Sequence, residues 1–174
     1  MLETLITSKT RIKLLLKFFL NSDTKAYLRS LESEFGESSN AIRLELNRFE
    51  DAGLLVSSAA GNKKLYQANR THPFFGELNN ILFKFVGIDE IIEKVLRKIG
   101  DLHSAYITGD FARGSDSQVI DLLLVGGALN RAYVANLVEK AEKVIKRKIR
   151  LLIMTEEEAK VYITSNQALL IWEK

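Results

Sequence analysis

The stretch ITGDFARGSDSQVIDLLLVG, residues 107–126, constrains the fold of this chain more than any other. It enters on apolar residues, turns through Gly109, Ala112, Arg113 and Gly114, and leaves on an apolar run that carries a single carboxylate, Asp121. Short apolar runs bounded by glycine and polar turn residues read as buried strands. A glycine- and arginine-bearing loop between two such strands presents backbone amides and a cation, which is what a phosphate group needs. Around it the pattern alternates. Residues 88–99 read as an amphipathic helix with Ile91, Ile92, Val95 and Ile99 inward, and residues 104–108 and 119–125 as strands. Residues 130–147 read as a long helix and 148–154 as a third strand. Thr155 caps an acidic turn, and residues 168–172 read as a strand or a packed tail. Helix and strand in alternation predict an α/β layer beginning at Gly87.

The loop resembles that of the DNA polymerase beta-like nucleotidyltransferases, especially their minimal bacterial forms, and the resemblance covers about residues 88–174. Members carry a Gly-Ser pair, an Ala-Arg-Gly loop, a strand with two Asp residues one position apart, and a third acid on a neighbouring strand. Residues two apart on a strand share a face, so three carboxylates can hold two divalent cations that activate the attacking oxygen and stabilise the leaving phosphate. Gly109, Phe111, Ala112, Arg113 and Gly114 match, and Asp110 stands where the pair has Ser. Asp121 matches the second strand Asp, but Val119 takes the place of the first and Arg150, in IRLLI, that of the third acid. The resemblance therefore implies the fold and a remnant nucleotide site at Gly109, Asp110, Arg113, Gly114 and Asp121, with no catalytic residue, no metal ligand and no cofactor. A carboxylate at Asp110 repels the phosphate met there, Asp116 reads as a turn residue, and Arg150 opposes a cation by charge. If Asp121 and Arg150 lie on adjacent strands, they are expected to form an ion pair where the family binds metal.

The first half has a different pattern. Ser8 caps a helix to about residue 20 with Ile12, Leu15, Leu16 and Phe19 on one face, and residues 25–35 read as a second helix stopped by Gly36. Ser38 or Ser39 caps a third helix, where Ile42, Leu46 and Phe49 form a buried stripe and Asn40, Arg43 and Asn47 lie opposite. Leu44 falls near that polar face, and Glu45, Glu50 and Asp51 are the acids of this helix that oppose a polyanion. Two short strands follow, residues 55–57 and 64–68, joined by a turn at Gly61–Asn62 with Lys63 and Lys64 beside it.

Three helices and a basic hairpin make a winged helix-turn-helix pattern. SKTRIKLLLKFFL, SSNAIRLELNRFEDAGLL and the hairpin resemble the arsenical-repressor-type winged-helix regulators over about residues 5–70. In such a design the third helix reads base edges in the major groove, and wing lysines reach phosphates. The expected DNA-binding residues are Ser39, Asn40, Arg43, Asn47, Lys63 and Lys64. Metal-sensing members use Cys and His; this segment has neither, so metal sensing is not implied.

Between the halves, THPFFGELNNILFKFVG reads as a helix started by Thr71 or His72, with Pro73 at its first position. Phe74, Leu78, Ile81 and Phe85 form one stripe, and Phe75, Leu82 and Val86 another, so the helix is expected to pack against more than one surface, including its copy in a homodimer. The net charge of +3 lies wholly in residues 1–87, which hold 12 basic and 9 acidic residues; the remainder holds 13 of each. There is no cysteine, which excludes disulfides and thiolate metal sites. No secretory leader or membrane span is evident, and a cytoplasmic location is expected.

These observations predict an α+β chain: an N-terminal winged helix-turn-helix (1–70), a connecting, dimerising helix (71–87), and a small C-terminal α/β nucleotidyltransferase-like domain (88–174). The expected function is a DNA-binding transcription regulator, a homodimer on double-stranded DNA. Its C-terminal domain is a pseudoenzyme that takes a nucleotide or phosphorylated ligand or serves assembly. The alternative is a divergent nucleotidyltransferase, using magnesium and nucleotide, with a winged-helix targeting module. A third reading is an interaction module that binds neither.

Overall fold

The computed structural model describes residues 2–174. They divide into two compact units, the first ending at Leu82 and the second running from Phe83 to Lys174. The chain is α+β, with a three-stranded and a four-stranded sheet. Among the described residues no helix is long and apolar enough to cross a membrane.

The first unit opens with α1 (Leu2–Leu5) and α2 (Lys9–Leu15), which continues as a π-helical turn over Leu16–Leu20. Ser8 caps α2 by accepting the amide of Arg11. Leu14, Leu16, Phe18 and Phe19 of this segment are fully buried, each aromatic or branched side chain contributing about 1.5–3 kcal/mol of transfer free energy. Next come β1 (Lys25–Tyr27), α3 (Leu28–Phe35) and α4 (Ser39–Asp51), then the hairpin of β2 (Leu55–Ala60) and β3 (Lys63–Ala68). Ser38 rather than Ser39 caps α4. Ile42, Leu46 and Phe49 are buried, as their spacing predicts.

The expected helix over residues 25–35 begins three residues late. Lys25, Ala26 and Tyr27 pair antiparallel with Gln67, Tyr66 and Leu65, giving the sheet order β1-β3-β2. Ladder hydrogen bonds and burial of Ala26 outweigh the weak helical preference of three residues. Ser30 then closes the start of α3 through the amide and carbonyl of Tyr27.

The helix after the hairpin, α5 (Phe75–Val86), also starts later than expected. Pro73 is not at its first position, because the His72 ring accepts the amide of Phe74 and holds a turn there. Leu82 and Val86 are buried, and Phe75 lies against Phe19 with ring centroids 5.9 Å apart. The other stripe is divided: Phe74 is 66% and Ile81 44% exposed, while Leu78 and Phe85 are half-buried.

The second unit contains α6 (Ile88–Lys94) and a 3-10 turn (Leu96–Lys98), so the expected helix over residues 88–99 changes winding near its end. Then follow β4 (Leu102–Thr108), α7 (Gly109–Ala112), β5 (Val119–Gly126), α8 (Arg131–Ile145), β6 (Lys148–Met154), α9 (Glu156–Ser165) and β7 (Leu169–Glu173). The sheet order is β6-β5-β4-β7. The β5–α8–β6 crossover makes the one parallel pair; β4 is antiparallel to both neighbours. Leu122 and Leu124 alternate with Leu123 and Val125, and all four are buried, because both faces of the sheet are covered. Leu123 and Val125 pack with Ala159 of α9, joined by Tyr106, Met154, Tyr162 and Ile163. Asn130 caps α8 and Thr155 caps α9, the latter in a reciprocal box with Glu158.

Candidate functional sites

In the first unit, Arg43 and Asn47 of α4 open onto a groove of about 690 Å³ whose other walls are Tyr27, Leu28, Arg29 and Ser30, and Asn62, Lys63, Lys64 and Tyr66 of the hairpin. Four of these residues are cationic and none is acidic. Strand β1 makes the groove: by ending at Tyr27 it carries that ring and Arg29 to the wall opposite α4. The sequence reading put residues 25–35 on one helix and so missed both.

Of the predicted residues, Ser39 and Asn40 do not line the groove. Asn40 is exposed on α4 and accepts a 3.3 Å hydrogen bond from Arg43 Nη1, which steers the guanidinium. Ser39 is half-buried and donates to Glu32, a contact between α4 and α3. Lys63 Nζ lies 5.4 Å from the centroid of the Tyr27 ring. Lys64 Nζ lies 5.3 Å from that of Tyr66 and pairs with Glu50 Oε2 at 2.6 Å.

Two of the three acids of α4 are engaged, and Asp51 is exposed at the end of the helix. Glu45 is buried and bound by Arg11 Nε at 2.8 Å and Arg48 Nη1 at 3.0 Å. Glu50 is held by Lys64 and by Ser57 Oγ at 2.5 Å. Those bonds, that from Lys64 foremost, keep the Glu50 carboxyl below its ordinary range, and the Glu50 hydrogen bond raises Lys64. Leu44 is exposed.

In the second unit a cleft of about 520 Å³ is bounded by Thr108, Gly109, Asp110 and Arg113, by Asp121 and Arg150 of the two parallel strands, and by Tyr162, Asn166 and Gln167 from the end of α9. Four of the five residues predicted for the remnant nucleotide site line it; Gly114, at φ +77° and buried, does not. Arg113 Nη2 pairs with Asp110 Oδ1 at 2.6 Å.

Asp121 and Arg150 are register partners across β5 and β6. Arg150 donates from Nε to Asp121 Oδ1 and from Nη2 to Oδ2, the latter at 2.9 Å, so the pair is bidentate. The hydrogen bond and charge of Asp121 raise the Arg150 guanidinium further above its ordinary value. The Asp121 side chain is 14% exposed and Arg150 75%. The donor set does not fit a divalent cation: both oxygens of Asp121 are taken by a guanidinium, and the nearest same-face position on β5 is Val119. Among the described residues no group of three or more His, Cys, Asp or Glu could hold a metal ion.

Gly109 stands against this pair. It has φ +65°, and a Cβ here would collide with Oδ2 of Asp121. Gly109→Ala is therefore expected to destabilise the second unit by about 2 kcal/mol, roughly half of it from the left-handed backbone. In an Asp121→Ala background, chemical denaturation should show the penalty falling to the backbone part alone, about 1 kcal/mol. An undiminished penalty there would mean that the collision contributes nothing.

One residue behind the loop escaped sequence reasoning. Arg147, at the end of α8, lies between the rings of Phe111 and Phe85, 5.3 and 5.7 Å from their centroids. It pairs with Asp116 Oδ1 at 2.7 Å and donates to the Ser117 carbonyl. No local pattern announces it, since its partners come from three other places in the chain.

No family model and no curated protein matches the chain. Among solved structures, a mutant of the toxin-antitoxin MntA-HpeT is similar at 18% identity and a TM-score of 0.42, over 50% of this chain and 72% of that one. A toxin-antitoxin with AMP-PNP is similar at 16% identity and a TM-score of 0.40, over 52% and 73%. AF1382 from Archaeoglobus fulgidus is similar at 16% identity and a TM-score of 0.39, over 53% and 98%.

Proposed function

We propose that the first unit is a winged helix-turn-helix that binds double-stranded DNA. The second, a nucleotidyltransferase-like domain, performs no transfer, and the chain is a transcription regulator. The carrying observation is the groove that Arg43 and Asn47 share with Arg29, Lys63 and Lys64, free of acidic lining. Helix α4 has the polar, exposed face a reader of base edges needs, and the hairpin brings cations to where a phosphate backbone would run. Asn40 belongs to the reading face through Arg43, and Ser39 to its placement. The homodimer belongs to this reading too: the exposed pair Phe74 and Ile81 suits a second copy, and twofold symmetry suits a palindromic site.

For the second unit, the Asp121–Arg150 pair argues against metal-dependent transfer. A nucleotide or phosphorylated ligand entering the cleft at Gly109, Asp110 and Arg113 would have to draw Arg113 from Asp110 or Arg150 from Asp121.

Fluorescence anisotropy on a mixed-sequence duplex tests the reading. Binding should weaken steeply with salt, and with log–log slope of about −0.9 per phosphate contact. Arg43→Ala should weaken binding to a selected site by about tenfold, from the loss of roughly 1–3 kcal/mol of base readout. No binding at low salt to any duplex, or binding indifferent to salt, would overturn it. Magnesium-dependent consumption of a nucleoside triphosphate that is lost in Asp121→Ala would favour the enzyme instead.

A further inference from the structure

We infer that Glu50 is an intramolecular competitor for the DNA phosphate at Lys64, and so a brake on sequence-independent affinity rather than a bystander of the wing. The inference rests on the DNA-binding reading. Its ground is an asymmetry among the four cations of the groove. Lys64 is held by a carboxylate at 2.6 Å. Arg43 bonds an amide side chain and Lys63 lies over a ring. Glu50 is itself fixed from the other side by Ser57 Oγ at 2.5 Å, so it is placed on the wing lysine rather than reaching it by chance.

Phosphate contacts supply affinity that is blind to sequence; base contacts supply the choice. A lysine already neutralised by Glu50 releases little counterion when DNA arrives. A phosphate near Lys64 must displace the carboxylate or accept its repulsion. The wing then contributes less to non-specific binding, and a larger share of the total falls to Arg43 and Asn47 on α4. Glu50 thereby lowers affinity for every duplex alike and leaves the choice of sequence to Arg43 and Asn47. The ion pair is partly exposed, so its rupture costs little and the effect is one of tuning.

The test compares the full chain with Glu50→Gln, Lys64→Met and the double variant on a mixed-sequence duplex, with Arg43→Ala as reference. Glutamine keeps the shape and the hydrogen bond to Ser57 and removes the charge. Glu50→Gln should tighten mixed-sequence binding by about three- to tenfold at low salt and steepen the log–log salt slope by about 0.9, one phosphate contact. In the Lys64→Met background the same substitution should leave the slope unchanged. A purely structural role for Glu50 would not move the slope with this dependence on Lys64. Weaker binding and a shallower slope in Glu50→Gln would mean that Glu50 orients Lys64 toward DNA, and would overturn the inference. So would an equal slope change with and without Lys64. If Arg43→Ala weakens duplex binding while Glu50→Gln leaves it unmoved, only this inference fails. If neither the native chain nor Glu50→Gln binds duplex, the DNA-binding reading fails with it.

Discussion

Arg147→Ala is expected to lower the stability of the second unit by about 3 kcal/mol, the largest single effect outside the apolar core. Three losses add up. The guanidinium is stacked between Phe85 and Phe111 and only 11% exposed, and two desolvated cation–π contacts contribute about 1 kcal/mol each. Truncation also leaves a void against Phe111, which is fully buried. The ion pair to Asp116 adds less than about 1 kcal/mol, because Asp116 is well exposed and screened. Arg147→Lys keeps the charge but not the planar ring contact or the fork to Asp116 and Ser117, and should recover about a third of the loss. Trp172, the one tryptophan of the chain, lies in β7. Its fluorescence during urea unfolding therefore reports the second unit. A loss under about 1 kcal/mol would show that the stacked guanidinium is replaceable by solvent.

The same residue marks what could be read from sequence and what could not. The strand over residues 148–154 was legible from its apolar run, and the placement of Arg150 near Asp121 only through the family resemblance, which sets both at one site; β5 and β6 do pair them. The buried stripe of α4 was legible from spacing alone. Arg147 was not: four partners at positions 85, 111, 116 and 117 share no period with it. Strand β1 was missed for a related reason. Lys25, Ala26 and Tyr27 carry no strand signal of their own, and only Tyr66 and its neighbours, some forty residues on, make them extended. With β1 went the far wall of the groove, Tyr27 and Arg29. The wide apolar coverage of α5 was visible, but the sequence did not show that Phe74 and Ile81 would be left open.

Ion pairs recur wherever a carboxylate meets a proposed binding surface: Glu50 with Lys64, Asp110 with Arg113, and Asp121 with Arg150. Each neutralises a cation that could otherwise take a phosphate. The three are not alike in consequence. Glu50 leaves Arg29, Arg43 and Lys63 available in its groove, whereas in the cleft of the second unit both arginines are occupied. That difference favours the first unit over the second as the proposed phosphate-binding surface.

Glu45→Gln should destabilise the first unit by about 2 kcal/mol at neutral pH and flatten its acid sensitivity. Glu45 is 6% exposed, and joins the start of α2 to the middle of α4. Arg11 binds it through Nε at 2.8 Å and Nη2 at 3.2 Å, Ser8 Oγ at 3.2 Å and Arg48 at 3.0 Å. Removing the charge leaves those arginines unpaired but half-exposed, so the cost is below that of a fully buried pair. Burial pushes the Glu45 carboxyl up, but the hydrogen bond and charge of Arg11, with the Ser8 hydrogen bond and the charge of Arg48, together outweigh it and hold the group below its ordinary value of 4.5. A carboxyl depressed in the folded state stabilises above its unfolded value, and that stability is lost as pH falls through 4.5 and below. Glu37, held down by Lys13 and Thr10 against its own burial, works in the same direction in this unit. Hydrogen exchange of the α2 and α4 amides, followed from pH 7 toward 4, should show protection falling more steeply in the native chain than in Glu45→Gln. Equal slopes would remove Glu45 as the source of the acid limb. Because Glu45 lies on the covered side of the helix that presents Arg43 and Asn47, a loss of protection there should be matched by weaker duplex binding at the same pH.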